Sequence, residues 1–182
     1  PVLHAERPKN ILTEGYVASG NAEGALLNSV YVIENRYKTP FIEHAYIEPE
    51  AGYALRDGDR IIIQGCTQAP FMNKDSIAEI LDLESENVRI IPTGCGGGFG
   101  SKLDLSYQPY IALAAWKLNR PVGIVYSRHE SMATTTKRHP SEISIKVGCD
   151  KNFKITAMDF HGVFNTGAYA SWGPTVANRV PV

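Results

Sequence analysis

The segment GCGGGFGSK at residues 94–102 places five glycines in seven positions and ends on a serine and a lysine. Glycine loses more backbone freedom on folding than any other residue, about 0.5–1 kcal/mol relative to alanine within regular structure. A run of glycines therefore consumes part of a net stability of only about 5–15 kcal/mol. Such a loop needs a physical reason, which makes it the first candidate for a functional site.

Three known glycine-loop patterns differ from this one. A phosphate-binding loop carries lysine before Ser or Thr, whereas here Ser101 precedes Lys102. The dinucleotide-binding pattern needs a third glycine where Phe99 stands, and the motifs that accompany a kinase loop are missing. What remains is a loop whose N–H groups can approach a polar, anionic ligand near a helix N-terminus. A crowded strand-to-helix crossing is the structural alternative.

Charge and hydropathy narrow the class of protein. The 182 residues are 43% hydrophobic, with 18 basic and 19 acidic residues and a net charge of -1. This balance predicts one domain or two packed lobes, and no nucleic-acid partner. The apolar runs are too short to cross a bilayer and no leader opens the sequence, so no membrane association is predicted. Because the sequence starts at Pro1 and stops inside a predicted helix, we expect a piece of a longer polypeptide.

The three cysteines, Cys66, Cys95 and Cys149, are odd in number and widely spaced. This pattern predicts reduced thiols and a cytoplasmic location. Cys95 lies in the glycine loop, where we favour a small loop residue over a ligand contact. Cys66 and Cys149 are expected to be buried.

Other polar residues favour structural roles. The five histidines show no spacing typical of a metal site, so no metal ligated directly by protein side chains is predicted. Glu48 and Glu50 could imitate the carboxylate pair of a glycosidase, but they flank Pro49 and we favour a structural role for both.

Hydrophobic periodicity and turn residues predict alternating strands and helices. Strands are predicted at residues 30–37, 48–53, 60–66, 87–93, 122–127, 142–147 and 154–164, and helices at 74–83, 107–118, 130–134 and from 171 onward. The Asp-Gly turn at 57–58 predicts a hairpin, and Ser106 is the predicted N-cap of the longest helix. Residues 1–22, with a turn at Gly20-Asn21, are predicted to be irregular. This order predicts an α+β fold, a mixed or antiparallel sheet with helices packed on one face.

The segment GGGFGSK at 96–102, together with Gln68 thirty-one positions before Phe99, resembles the molybdenum-binding subunit of the molybdenum hydroxylases. That family includes xanthine dehydrogenase, aldehyde oxidase, carbon monoxide dehydrogenase and nicotinate dehydrogenase. Further stretches that resemble it are HAYIEPEAG (44–52), ALAAWKLNRPV (112–122), SRHESM (127–132) and KRHP (137–140).

The resemblance implies a molybdenum-dependent hydroxylase or dehydrogenase that oxidises an aldehyde or an N-heteroaromatic compound of xanthine or nicotinate type with oxygen from water. Its cofactor would be a molybdenum-pyranopterin, either molybdopterin or its cytosine dinucleotide form. Iron–sulfur clusters and FAD would lie on partner domains or subunits of an oligomeric enzyme. The base, a glutamate, lies far downstream in the relatives, so this fragment would hold no catalytic residue and be inactive alone.

By this resemblance, five residues would surround the cofactor. Gln68 would donate its side-chain amide to the apical oxo ligand of the metal. Phe99 and Gly100 would lie against the oxo face, with the Gly100 N–H as a further donor, and Gly97 and Gly98 would admit the cofactor. The alternatives are a Gln68 that bonds main chain at a strand end and a Phe99 that fills the core.

Two further residues would face the substrate. Arg179 stands where xanthine-oxidising members place a substrate-orienting arginine, and Leu103 stands where they carry a purine-reading glutamate. An arginine with no acid opposite would suit an anionic or carbonyl-bearing heteroaromatic compound such as a nicotinate-like one. A solvated arginine at a helix end is the alternative for Arg179.

The domain organisation implied is a linker at 1–22 and the N-terminal part of a truncated molybdopterin-binding domain at 23–182. A non-catalytic cofactor-binding or assembly module that retains the glycine loop is the alternative function, and a nucleotide-binding protein is a more distant one.

Overall fold

The computed structural model describes residues 1–167 and 171–180. The chain divides into two compact units, one formed by residues 1–42 with 139–182 and the other by residues 43–138. The division into a linker at 1–22 and a domain at 23–182 stays a prediction. Residues 1–21 contain turns and bends with no helix or strand.

The unit at 43–138 is built on a four-stranded mixed sheet. Its strands are β2 (Ala51–Asp57), β3 (Arg60–Gly65), β4 (Val88–Pro92) and β5 (Val122–Val125), which lie in the order β4-β3-β2-β5. The strands β2 and β3 form the predicted hairpin, in which Asp57 pairs with Arg60 and Gly58 takes a φ of 59° that suits glycine. The β3–β4 pair is parallel, as Gly65 aligns with Pro92, and the β2–β5 pair is antiparallel.

Three helices accompany this sheet: α2 (Pro70–Leu81), α3 (Gln108–Leu118) and α4 (Arg128–Thr134). Ile61 and Ile63 of β3 alternate inward and pack in one core with Ile77 of α2 and Ile111 of α3. The predicted α+β fold, a mixed sheet with helices on one face, is therefore confirmed. The helix α2 begins at Pro70, earlier than predicted, because proline suits the first turn of a helix.

The unit at 1–42 and 139–182 contains a three-stranded antiparallel sheet. Its strands are β1 (Tyr31–Thr39), β6 (Ser141–Cys149) and β7 (Ile155–Phe164), in the order β1-β6-β7, and its helices are α1 (Ala22–Leu27) and α5 (Gly173–Asn178). The strands were predicted at these places, and α5 carries Pro174 in its first turn as expected. The helix α1 was not predicted. Asn21, interpreted as a turn residue, is its N-cap and accepts the Gly24 N–H at 2.9 Å.

Two glycines that pair across β2 and β3 make a slot for Tyr107, which is buried immediately before α3. A Cβ at Gly52 would lie 2.4 Å from the Tyr107 ring, and one at Gly65 would lie 2.0 Å from its hydroxyl oxygen. That hydroxyl donates to the Cys66 carbonyl at 3.1 Å. The ring therefore fixes the start of α3 against the sheet.

The predicted N-cap of α3 was wrong. The N-cap position is Tyr107, whose side chain makes no capping hydrogen bond. The side chain of Gln108 instead accepts the Ser106 N–H at 2.9 Å. Ser106 lies one position too early because the buried Tyr107 ring, which a cap rule does not consider, sets where the helix begins.

Among the described residues, none of the helices combines the length and the apolar composition that a membrane span requires.

We expect Gly65→Ala to lower the free energy of unfolding by about 1–3 kcal/mol, because the added methyl overlaps both Tyr107 and a main-chain oxygen. Urea denaturation of the chain measures this. The matched control is Gly123→Ala in β5, where the nearest atom to a new Cβ is 3.6 Å away. That variant should be unchanged or stabilised by up to about 1 kcal/mol. An equal loss of unfolding free energy in both variants would contradict the close packing of Tyr107 against Gly65.

Candidate functional site

The glycine loop joins β4 to a short 3₁₀ turn at Ser101–Leu103. Gly97 and Gly100 take φ values of 98° and 96°, a left-handed region that glycine enters without steric cost. Phe99, between them, has a φ of 51°, which is unusual for a residue with a Cβ. The residue is 67% exposed, so Phe99 does not fill the core of the described residues, and that alternative is wrong. The loop holds an aromatic ring out at the surface.

Gln68 follows β3 and lies against the glycine loop. Its side-chain Oε1 accepts the Gly100 N–H at 3.1 Å, and a Cβ at Gly98 would lie only 2.3 Å from that oxygen. Within residues 1–167 and 171–180, the Nε2 of Gln68 has no hydrogen-bond acceptor. The two segments meet because β3 and β4 run parallel, so both leave the sheet at the same edge. The arrangement presents an outward amide donor beside the exposed Phe99.

The small residues of the loop serve different purposes. At Gly97 a Cβ would lie 3.0 Å from Tyr46, and at Gly98 it would meet Gln68, so both pack against protein atoms. At Gly100 and Gly94 a Cβ would meet nothing within 4 Å. Close packing thus explains the glycines at 97 and 98, and their role in admitting a cofactor stays a prediction.

Lys102 turns away from the loop surface into the protein, and its side chain is 3% exposed. Its Nζ donates to Glu48 Oε2 at 2.7 Å and to the Glu48 carbonyl at 2.9 Å, and it lies 4.5 Å from the centre of the Tyr46 ring. Glu48 in turn accepts the Gly96 N–H at 2.8 Å through Oε2 and donates its own N–H to the Gly96 carbonyl at 3.2 Å. Lys102 and Glu48 therefore anchor the loop.

Burial and ion pairing shift the pKa values of Glu48 and Lys102 in opposite directions. Burial alone would raise the pKa of Glu48, but the hydrogen bonds from Lys102 and the Gly96 N–H outweigh it and lower that pKa. Burial likewise favours a lower pKa for Lys102, and the Glu48 carboxylate raises it instead. Both shifts favour the charged pair. A glycosidase-like pair is excluded, because Glu50 is buried and its carboxylate accepts a hydrogen bond from the Tyr46 hydroxyl.

Sequence reasoning missed the connection between Glu48, Gly96 and Lys102. It identified Lys102 as misplaced for a phosphate loop and Glu48 as structural, but no spacing rule relates residues 54 positions apart. Ser101 is a second buried anchor, since its Oγ lies 3.0 Å from the Thr136 Oγ1.

The two predicted substrate residues belong to different compact units. Leu103, which is half-buried, ends the 3₁₀ turn, and its carbonyl accepts the Asn73 side-chain amide at 3.0 Å. Arg179 is exposed at the C-cap of α5. Residues 168–170, within the stretch that suggested Arg179, lie outside the described residues. A joint role for Leu103 and Arg179 stays a prediction.

All three cysteines are free: Cys66 is buried as predicted, Cys149 is only half-buried, and Cys95 is exposed on the loop. The Cys95 thiol lies 3.4 Å from the Gly97 carbonyl, and burial is the main cause that raises its pKa. Over the described ranges, no group of three or more His, Cys, Asp or Glu side chains is arranged to hold a metal ion.

Comparison with known proteins gives consistent matches. The family model of the molybdopterin cofactor-binding domain matches residues 3–182. The nicotinate dehydrogenase large molybdopterin subunit of Eubacterium barkeri is 36% identical over an alignment of 183 positions, which covers 100% of this chain and 43% of that protein. A probable xanthine dehydrogenase subunit of Bacillus subtilis (strain 168) is 39% identical over 92% of this chain and 23% of its own length.

Solved structures share the fold. The aldehyde oxidoreductase from Desulfovibrio gigas superimposes with a TM-score of 0.78 at 23% identity, over 88% of this chain and 18% of that one. The chain therefore spans less than half of each protein that it matches here.

We expect Glu48→Gln to lower the free energy of unfolding at neutral pH by about 1–3 kcal/mol, since it leaves a buried Lys102 charge without its counter-ion while solvent screens part of the loss. Because the folded-state pKa of Glu48 is lowered, its contribution is present above the ordinary value of 4.5 and is lost as the pH falls through the folded pKa. The difference from wild type should shrink below pH 4.5.

Urea denaturation at several pH values measures this difference. The surface pair Lys146–Glu34, with an N···O distance of 3.0 Å, supplies the control. Glu34→Gln should cost less than about 1 kcal/mol at every pH. A Glu48→Gln effect that does not change with pH would contradict the ion-pair explanation.

Proposed function

This chain belongs to the molybdopterin cofactor-binding domain family, and on that premise we propose that it forms part of the cofactor and substrate pocket of a molybdenum-dependent hydroxylase or dehydrogenase. The substrate would be an aldehyde or an N-heteroaromatic compound. The observation that carries the proposal is the contact between Gln68 and the glycine loop, which places a free amide donor beside an exposed aromatic ring.

The residues present fit a bulky cofactor that carries oxygen ligands. Gln68 offers a neutral donor, so it can bind an oxo oxygen without adding charge beside a metal. The Gly100 N–H holds Oε1, which leaves Nε2 as the end of the side chain that would donate to the cofactor. Direct donation from Gly100 to the oxo ligand stays a prediction, since this N–H is engaged by Gln68 here. The bound cofactor would supply the two-electron redox chemistry of the reaction.

Phe99 and the glycines of the loop would form the surface around the cofactor. Phe99 presents an apolar ring at the loop tip and would exclude water from the oxo face. Gly97, Gly98 and Gly100 leave that part of the main chain without side chains. The general base is proposed to lie on a part of the enzyme that these 182 residues do not include.

The substrate class rests on two residues. Arg179 would supply a positive charge and Leu103 would supply no acid, which would suit an anionic or carbonyl-bearing heteroaromatic compound of nicotinate type. Electrons would leave through iron–sulfur and flavin domains or subunits of an oligomeric enzyme. The cytoplasmic location is proposed from the unpaired cysteines.

We expect the complete enzyme to contain near-stoichiometric molybdenum and pterin, and Gln68→Leu to reduce turnover per molybdenum by about 10–100-fold, as loss of a supporting partner of a metal does. The measurements are metal analysis and oxidation rates with nicotinate, xanthine and aromatic aldehydes. Gln64→Leu is the matched control, because Gln64 lies on β3, the strand that leads to Gln68, and its side chain accepts a hydrogen bond from the Tyr53 hydroxyl at 2.7 Å. It should keep wild-type turnover.

The outcomes separate the alternatives. Molybdenum with substrate-dependent reduction supports the enzyme. Cofactor without such reduction supports a non-catalytic binding or assembly module. The absence of both molybdenum and pterin contradicts the proposed function.

A second prediction concerns the spacing between the loop and Gln68. Gly98→Ala places a methyl 2.3 Å from Gln68 Oε1, so the amide must swing away from Gly100. Because a flexible side chain can move, we expect turnover to fall by about tenfold or more while the protein remains folded. Gly94→Ala, whose new Cβ would meet nothing within 4 Å, should behave as wild type. Unchanged turnover in Gly98→Ala would show that the orientation of Gln68 is not needed.

A further inference from the structure

The sequence of the glycine loop does little by itself to hold the loop in one conformation. The loop is rich in glycine, which prefers no single backbone conformation. Phe99 at its tip itself adopts an unfavourable positive φ. Such a segment would sample many conformations unless its ends were fixed by other parts of the fold. The affinity of a ligand that binds only one conformation of the loop then depends on those fixed points, because they preorganise the loop.

Gly96 is fixed on both of its main-chain groups by Glu48. The Gly96 N–H donates to the Glu48 carboxylate at 2.8 Å, and the Gly96 carbonyl accepts the Glu48 N–H at 3.2 Å. A Cβ at position 96 would lie 2.5 Å from the Glu48 Cβ, so the approach is possible only for glycine. One end of the loop is therefore attached to a single acidic residue.

Lys102 fixes Glu48 and, separately, Gln68. Its ammonium group donates to the carboxylate and the carbonyl of Glu48 at 2.7 and 2.9 Å. Its own carbonyl accepts the main-chain N–H of Gln68 at 2.9 Å. The Lys102 side chain thus holds the start of the loop through Glu48, and the Lys102 main chain holds Gln68.

Neither charge is placed to bind a ligand itself. The Lys102 side chain is 3% exposed and covered by the Tyr46 ring, and the Glu48 carboxylate is shared between Lys102 and Gly96. We propose that Lys102 and Glu48 are positioning residues: this ion pair between a buried lysine and a half-buried glutamate presets the glycine loop and Gln68 for the cofactor and so determines how firmly the cofactor is retained. This inference rests on the proposed function, because it takes the loop to be part of the cofactor site.

The test compares Lys102→Met, Glu48→Gln and their double variant in the complete enzyme. Met matches the length of Lys without its charge, and Gln keeps an oxygen acceptor for the Gly96 N–H, so the second variant remains informative if the first folds poorly. The control is Lys38→Met, which makes the same replacement in the exposed pair Lys38–Glu142. Two readouts are taken: amide hydrogen exchange of peptides covering residues 94–102 and 108–118, and molybdenum retained after dialysis.

We expect Lys102→Met to speed exchange of the 94–102 peptide by at least about tenfold and to lower retained molybdenum severalfold, with exchange of the α3 peptide unchanged. Glu48→Gln should show a smaller change of the same kind, and Lys38→Met none. The double variant should be no worse than Lys102→Met, since the two residues act as one unit.

Three results would overturn the proposal: unchanged loop exchange, faster exchange in α3 to the same degree as in the loop, or faster loop exchange with full molybdenum retention. If wild type holds no molybdenum, the proposed function fails and so does the retention claim that rests on it. The exchange data still decide, independently of that result, whether the ion pair presets the loop.

Discussion

The parallel pairing of β3 with β4 is the constraint on which the candidate site depends. In a parallel pair the carboxyl ends of both strands reach the same edge of the sheet, and here Gly65 aligns with Pro92. The ladder extends one step further, because the Thr93 N–H donates to the Gly65 carbonyl at 3.2 Å. Two segments far apart in sequence, one with Gln68 and one with the glycines, are thereby brought to a common place.

The connection between these strands is the helix α2, which a parallel pair requires because a tight turn cannot join its strands. The core residues of α2 and α3 pack on the same face of the sheet, and the segments that leave β3 and β4 at this edge, residues 66–69 and 93–100, are loops. Loops on a rigid sheet edge are the usual location of binding residues, since the sheet fixes their ends while their tips remain accessible. The exposed Phe99 is an example of such a tip.

How much of this could be predicted from the sequence depends on the range of the interactions. The helix α3 and the alternating strand β6 were predictable, because their signals repeat locally every three to four or every two residues. The helix α1 was missed because six residues that include Gly24 show no periodicity. The start of α3 was misplaced because Tyr107, fixed by β2 and β3, decides it.

The candidate site was also predictable only in part, and again the range of the interactions decides which part. The spacing between Gln68 and Phe99, through its resemblance to a known family, indicated that the two segments belong together, and the structure gives the physical reason in the β3–β4 pair. No sequence rule indicated that Lys102 would fold inward onto Glu48. A buried ion pair is determined by the three-dimensional positions of two backbones, and the sequence contains no periodic trace of it.

The inward turn of Lys102 has an electrostatic consequence. In a phosphate-binding loop the lysine adds positive charge to the ligand face, whereas here Glu48 neutralises that charge beneath the loop. The loop surface is then left with uncharged groups: the Gln68 amide, the Phe99 ring and the Cys95 thiol. Neutral donors bind oxygen atoms by geometry more than by net charge, and the Lys102–Glu48 pair adds no net charge to the ligand face. The proposed binding of an oxygen-bearing metal complex is consistent with this uncharged face, whereas a free phosphate would lack the cation that normally compensates it.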